Sequence, residues 1–238
     1  MAMDKLYVVI PAYNEELNIK RCVDEWYPIV ETHNESGESR LVIVNDGSKD
    51  HTYEMLRELA DEKPLLITLN KENGGHGSAL LYGYKYAIKE NADWIFQTDS
   101  DGQTDPNEFE GFWEKRNDFN AVIGERHDRG DGAGRKFVED VVCILLKLVF
   151  KVSAKDANAP FRLMKADLVG KYIDRLPEDF NIPNIMFVAY FLYYKEKVAF
   201  ESITFKPRTA GKASINLKKI VKIGVKAVGD FRKLRKEM

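Results

Sequence analysis

Five short runs rich in β-branched and aromatic residues punctuate the first half of the chain: LYVVIPA, RLVIVND, LLITLN, WIFQTD and AVIG. Helix-patterned stretches fill the gaps, from Glu15 to His33, Asp50 to Glu62, His76 to Ala92 and Pro106 to Arg116. This alternation predicts an α/β fold, a mostly parallel sheet with helices on both faces. Crossovers in such a sheet are right-handed, and ligands gather where the strands end at their carboxyl edge. Four groups follow the strands directly: Tyr13-Asn14-Glu15, Asp46-Gly47-Ser48, Asn73-Gly74-Gly75-His76-Gly77 and Asp99-Ser100-Asp101. All four are expected on one edge.

The second half is less regular. It offers a Gly- and Asp-rich loop from Arg126 to Gly134, a helix near Phe137 to Val152, a strand-like FRLMK, a helical stretch near Pro183 to Lys195, and a strand VAFESITFK. With no repeat, low-complexity segment or linker, the 238 residues read as one domain over 1–212 and a C-terminal extension over 213–238. A formal charge of −2 argues against a nucleic-acid binder or an acidic scaffold. The charge is uneven, however: residues 216–238 carry a net +6, leaving −8 for the rest, so the tail is expected to meet something anionic. Wound as a helix, the tail places Ile220, Ile223, Ala227, Val228, Phe231 and Leu234 on one face. That face either lies on an anionic membrane leaflet or packs on protein, and Gly224 and Gly229 weaken the helix in isolation.

Cys22 and Cys143 are far apart and fit neither a disulfide framework nor a zinc spacing. No signal-peptide pattern precedes LYVVIPAY. VVCILLKLVFKV and MFVAYFLYY are too short or too interrupted to cross a bilayer. The expectation is a cytoplasmic protein with no span of its own.

Like charges crowded together repel, yet Asp99, Asp101 and Asp105 occupy seven positions. Asp105 before Pro106 reads as the start of a helix. Asp99 and Asp101 flank a turn and either shape it or point at one divalent ion; hard oxygen ligands suit Mg2+ or Mn2+ when substrate phosphates complete the shell. Turn and cap chemistry explains Gly47, Ser48 and Asp50. Asp46, at the sheet mouth, is placed to accept from the N–H edge of uracil or guanine. KENGGHGSALLYGYKYA has the form of a phosphate cradle, with Gly75 and Gly77 allowing close backbone approach at a helix N-terminus and His76 either a ligand or a helix residue. It follows the third strand, whereas a dinucleotide fingerprint follows the first, which disfavours an oxidoreductase.

Taken in order, VVIPAYNEELNI, VIVNDGSKDHT, NGGHGSALLYGYKYA and QTDSDGQTDP resemble the family 2 glycosyltransferases of GT-A fold. NAPFRLMKADLV and ITFKPRTAGKASINLKK are similar to segments of the polyprenyl-phosphate mannosyltransferases and their relatives. The resemblance implies Pro11, Tyr13 and Glu15 around the nucleoside, with Asp46 at the base. Asp99, Asp101 and Gln103 would hold the metal on the donor pyrophosphate. Arg208 would approach the sugar-phosphate region, while Arg126 and Arg135 would meet the acceptor phosphate. Where those enzymes use a serine just beyond the second arginine, this chain offers Glu139 and Asp140, which repel a phosphate.

The implied activity is an inverting, metal-dependent transfer of sugar from a UDP- or GDP-sugar to a lipid-linked or polyprenyl-phosphate acceptor at the cytoplasmic membrane face. A sugar hydroxyl as acceptor would instead need a general base, for which Glu139, Asp140, Asp156, Glu178 and Asp179 are candidates. A sugar-nucleotide pyrophosphorylase lacks support in PAYNEELN, which has no glycine- and basic-rich signature. A catalytically silent nucleotide-binding subunit is the non-enzymatic alternative.

Overall fold

The first strand, β1 (Leu6–Ala12), is buried along its whole length, as expected for a strand covered on both faces. In the computed structural model, which describes residues 3–129, 133–207 and 229–236 and the side chains of all but 127–129 and 133–138 of these, it lies centrally in a seven-stranded sheet. The elements in chain order are β1, α1 (Ile19–Thr32), β2 (Arg40–Asn45), α2 (Thr52–Glu62), β3 (Leu66–Asn70), α3 (His76–Lys89) and β4 (Trp94–Thr98). There follow α4 (Phe109–Trp113), β5 (Ala121–Arg129), α5 (Ala133–Phe150), β6 (Phe161–Lys165), α6 (Ala166–Ile173), α7 (Pro183–Tyr193) and β7 (Val198–Phe205). The order across the sheet is β3-β2-β1-β4-β6-β5-β7. All neighbouring pairs are parallel except those of β6, which runs antiparallel to β4 and β5.

Alternation along β1 divides the core. Tyr7 and Val9 face a layer built from α3, α5, α6 and α7, with Tyr84, Leu146, Phe150, Phe187 and Phe191 buried in it. Leu6, Val8 and Ile10 face the layer of α1 and α4, where Trp26, Phe96, Phe109 and Phe161 meet. The Phe96 and Phe161 rings are 4.7 Å apart and edge-on, the geometry that ring quadrupoles favour.

The mostly parallel sheet with two helical layers agrees with the expectation, and three elements differ from it. The helix expected from Pro106 to Arg116 is broken into a 3-10 turn at Pro106–Glu108, the short α4, and a second 3-10 turn at Glu114–Asn117. β5 continues beyond AVIG because it pairs with β7 through Arg126↔Ile203. The helix α6 was not foreseen; it follows FRLMK immediately, so no turn residues separate the two.

The tail contributes a helical segment at 229–236. Phe231 and Leu234 are buried in the α5–α7 layer, with the Phe231 ring 5.7 Å from that of Phe150. Arg235 lies over the Tyr193 ring and donates to its hydroxyl at 3.1 Å. This part of the stripe therefore packs on protein. Ile220, Ile223, Ala227 and Val228 lie outside the described residues. Among the described residues no helix is long and apolar enough to cross a membrane.

Candidate functional site

The exits of β1 and β2 are laced together by short polar side chains. Asn14 has φ +55°; its amide donates to Ser48 Oγ (3.0 Å), and its side-chain oxygen accepts from the Lys49 amide (2.8 Å). The Glu15 amide donates to Thr52 Oγ1 (2.8 Å), while the buried Glu15 carboxylate accepts from Asn18 Nδ2 (2.6 Å). Pro11 is buried at the end of β1, and its carbonyl accepts from Ser100 Oγ (3.0 Å), tying the β1 exit to the β4 exit. Tyr13 is half-buried beside them.

Asp46 organises the loop after β3. Its buried carboxylate accepts from Lys71 Nζ (2.8 Å) and the Gly74 amide (2.9 Å) on Oδ1, and from the Gly75 amide (2.8 Å) on Oδ2. The Asp46 carbonyl accepts from Asn73 Nδ2 (2.8 Å). The expected nucleobase contact thus shares its carboxylate with the glycine loop, and Asp46 fixes the loop whatever else it binds. Gly75 caps α3 with φ +88°. A side chain on Gly77 would collide with the Phe180 carbonyl and the Asn181 backbone, so this glycine lets α3 press against the segment leading to α7. His76, between the two, is exposed, with Nε2 3.9 Å from Asp99 Oδ1.

At the β4 exit, Asp99 is half-buried and accepts from Gln97 Nε2 at 3.2 Å. Burial pushes its carboxyl up from the usual range, against the pull of His76, Arg126 and Arg162. Asp101 Oδ1 accepts from the Gln103 amide (3.2 Å), closing a turn through Gly102 at φ +71°. The Arg21 guanidinium packs where a Gly102 side chain would stand, with Nε and Nη2 buried and lacking a hydrogen-bond partner. Gln103 is buried; its Nε2 donates to the Lys206 carbonyl (2.9 Å), and its own carbonyl accepts from the Lys206 amide (2.7 Å).

Two carboxylates separated by a single residue, Ser100, suit a hard divalent cation. Among the described residues no three His, Cys, Asp or Glu side chains form a self-sufficient cation cage. Asp99 and Asp101 supply hard oxygen donors, which suit a Mg2+- or Mn2+-type ion that takes its remaining oxygens from water and a phosphate ligand. Gln103 is tied through its amide nitrogen to the β7 exit.

Arg126 stands at the other side of the mouth with its side chain only 4% exposed. Asp156 holds it in a fork, with Nε to Oδ2 at 2.6 Å and Nη2 to Oδ1 at 2.9 Å, while Glu139 Oε2 lies 3.3 Å from Nη2. Burial alone would raise the Asp156 carboxyl, yet the bonds and charge of Arg126 hold it below its ordinary value. Glu139 moves the other way: burial, then the neighbouring Asp156, lift it to about 7. Its Oε1 also accepts from the Ala157 amide (3.0 Å). Of the other base candidates, Glu178 pairs with Lys85 at 3.0 Å on the exposed surface. Arg135 lies in α5, but its side chain is outside the described residues, as is Arg208 altogether.

Lys71, Gln97, Asn184 and Arg162 are the site-supporting residues that sequence reasoning missed. Lys71 carried a readable signal, a cation directly after a strand. The others are buried side chains from separate elements, and no local pattern connects them.

The family model for glycosyl transferase family 2 matches residues 7–169. A dolichyl-phosphate beta-glucosyltransferase of Trichomonas vaginalis is 36% identical over 109 residues, 44% of this chain and 33% of that protein. A UDP-N-acetylglucosamine–dolichyl-phosphate N-acetylglucosaminyltransferase of Methanococcus voltae is 34% identical over 121 residues, 45% of each. The match thus spans between a third and half of the length of these relatives. Among solved structures, glucosyl-3-phosphoglycerate synthase of Mycobacterium tuberculosis, in complex with Mn2+, UDP and phosphoglyceric acid, superposes with a TM-score of 0.72 at 16% identity, covering 98% of this chain and 78% of that one. That likeness concerns the fold, which is the GT-A arrangement. With its family match running from β1 into α6 and enclosing all four strand exits, the chain belongs to glycosyl transferase family 2.

Proposed function

We propose that this protein transfers a sugar, with inversion, from a nucleoside-diphosphate sugar to a lipid-linked or polyprenyl-phosphate acceptor at the inner face of the membrane. The observation that carries the reading is the convergence of the Asp46-anchored glycine loop and the Asp99–Asp101 turn on one sheet edge. Pro11, Tyr13, Glu15 and Asp46 line the nucleoside side, and uridine is favoured because the Methanococcus voltae relative is named for a UDP-sugar. Gly75, His76 and Gly77 offer the N-terminus of α3 to the phosphates. Asp99 and Asp101 hold a divalent cation, Mn2+ or Mg2+, with Gln103 behind them; when bound, that ion offsets the charge growing on the departing diphosphate.

An acceptor phosphate oxygen is already anionic, so it attacks the anomeric carbon without a base as the bond to the diphosphate breaks. Arg126, Arg135 and Arg208 orient it, with Arg126 released from Asp156 for that purpose. Contact with the membrane is supported by α5, whose Val141, Ile144 and Leu148 are 37%, 57% and 63% exposed around the exposed Lys147. The basic tail, read as an extension over 213–238, supplies a net +6 over 216–238 for contact with an anionic surface.

A second reading is favoured by the Arg126 cluster itself. With its guanidinium already occupied by two carboxylates, a sugar hydroxyl is a reasonable acceptor, and Glu139, lifted to about 7, is poised to take its proton.

Thermal-shift measurements with UDP and GDP, with and without Mn2+, test the donor side. A cation-dependent rise in Tm that disappears in Asp101→Ala is expected. No rise with any sugar nucleotide defeats the reading. Transfer assays with polyprenyl phosphate against free sugars then decide between the acceptors.

A further inference from the structure

Beneath Asp99 runs a line of buried polar side chains drawn from three elements. The Tyr84 hydroxyl (α3) donates to Asn184 Oδ1 (α7) at 3.2 Å, Asn184 Nδ2 donates to Gln97 Oε1 (β4) at 3.0 Å, and Gln97 Nε2 donates to Asp99 Oδ1 at 3.2 Å. Tyr84, Asn184 and Gln97 are all buried. Arg162, fully buried on β6, fixes the head of α7: Nη1 donates to the Asn184 carbonyl (3.1 Å), while Nε and Nη2 donate to the Ala159 carbonyl (3.2 and 2.6 Å).

A side-chain amide has a donor end and an acceptor end, and turning it over exchanges both. Asp99 Oδ1 accepts in this bond, so it takes the NH2 end of Gln97. That turns the Gln97 oxygen toward Asn184, which must answer with its own NH2, leaving its oxygen for the Tyr84 O–H. Each orientation thus dictates the next, and burial pushes the Tyr84 phenol up, so the last member remains a donor. A line that merely filled the interior would have no need to end on a carboxylate at the mouth.

We propose that Tyr84, Asn184 and Gln97 are positioning residues for Asp99, a polarised relay that fixes how its carboxylate turns and so sets the affinity of the site for a divalent cation. This rests on the reading of Asp99 and Asp101 as the cation ligands.

Calorimetric titration of Mn2+ into the full chain, with UDP or GDP present according to which raises Tm, tests it. Residues behind metal ligands typically govern affinity by one to two powers of ten, so Gln97→Leu is expected to raise the Mn2+ dissociation constant about tenfold and Tyr84→Phe about threefold. Tyr172→Phe is the control. It removes a hydroxyl that bonds Glu196 at 2.8 Å outside the relay, and it should leave Mn2+ affinity at the wild-type value whatever it does to Tm. Nucleotide affinity without metal should be the same in all four proteins. If folded Gln97→Leu and Tyr84→Phe bind Mn2+ as the wild type does, the relay is overturned and the cation site stands. If the wild type takes up no Mn2+, the cation site falls and the relay with it. Should Gln97→Leu fail to fold, Tyr84→Phe, which deletes one oxygen, decides alone.

Discussion

Arg126 and its two carboxylates form a buried triad in which one proton decides the charge. The fork to Asp156 keeps that residue ionised, whereas Glu139, lacking an equal share of the guanidinium, holds its proton to about pH 7. Folding therefore favours protonated Glu139. Its contribution to stability is complete below its ordinary value of 4.5 and is lost as pH rises through about 7. Asp156 has the opposite sign and acts in a lower window, losing its contribution only as pH falls below its ordinary 3.8. Urea midpoints should accordingly fall between about pH 5 and 7 in the wild type, and Glu139→Gln, which mimics the protonated form, should flatten that slope. A variant with the wild-type slope would place the titration elsewhere. At this scale the sequence was readable where a residue follows a strand: Asp46, Asp99 and Asp101 all lie at the expected edge. It was not readable for Tyr84, Gln97 and Asn184, because a hydrogen bond between residues 87 or 100 positions apart leaves no trace in spacing.

The helix α3 is where an element, rather than a side chain, shapes the site. Its first turn lies against the 180–181 backbone at Gly77, and its cap, Gly75, is bonded to Asp46. Gly77→Ala puts a methyl group into the Phe180 carbonyl, and overpacking of this kind costs about 1–3 kcal/mol. A lower denaturation midpoint is expected together with weaker nucleotide binding in a thermal-shift titration, since His76 and the loop must move with the helix. An unchanged nucleotide affinity would separate the loop from the ligand. The glycines were legible as a loop leading into a helix N-terminus, but the partner that requires Gly77 comes from another helix connection and was not. Likewise, α4 was overextended because the apolar spacing of Phe109, Phe112 and Trp113 continues a helical pattern that 3-10 turns on either side interrupt.

For the molecule as a whole, the sheet with a helical layer on each face was legible because alternation of strand and helix periods is a global signal. Which apolar residues remain uncovered was not, since periodicity marks a face but not its neighbour. The helix α5 illustrates this: Leu146 and Phe150 enter the core while Ile144 and Leu148 stay outside. Replacing Ile144 and Leu148 together by Glu should leave unfolding within about 0.5 kcal/mol per site, as is usual for exposed positions. Co-sedimentation with anionic vesicles should be lost, and retained sedimentation would assign membrane contact to another surface.

The reversed strand β6 has a consequence of its own. Because Phe161 pairs with Thr98, the residues that enter β6 arrive beside those that leave β4, so the polypeptide approaches the candidate site from both directions. Asp156, Ala157 and Ala159 are stationed there by the upstream end of a strand. A survey of downstream ends alone would pass them by, and in chains of this layout the stretch ahead of the one backward strand is as promising a place for substitutions that alter substrate choice as any loop behind a forward one.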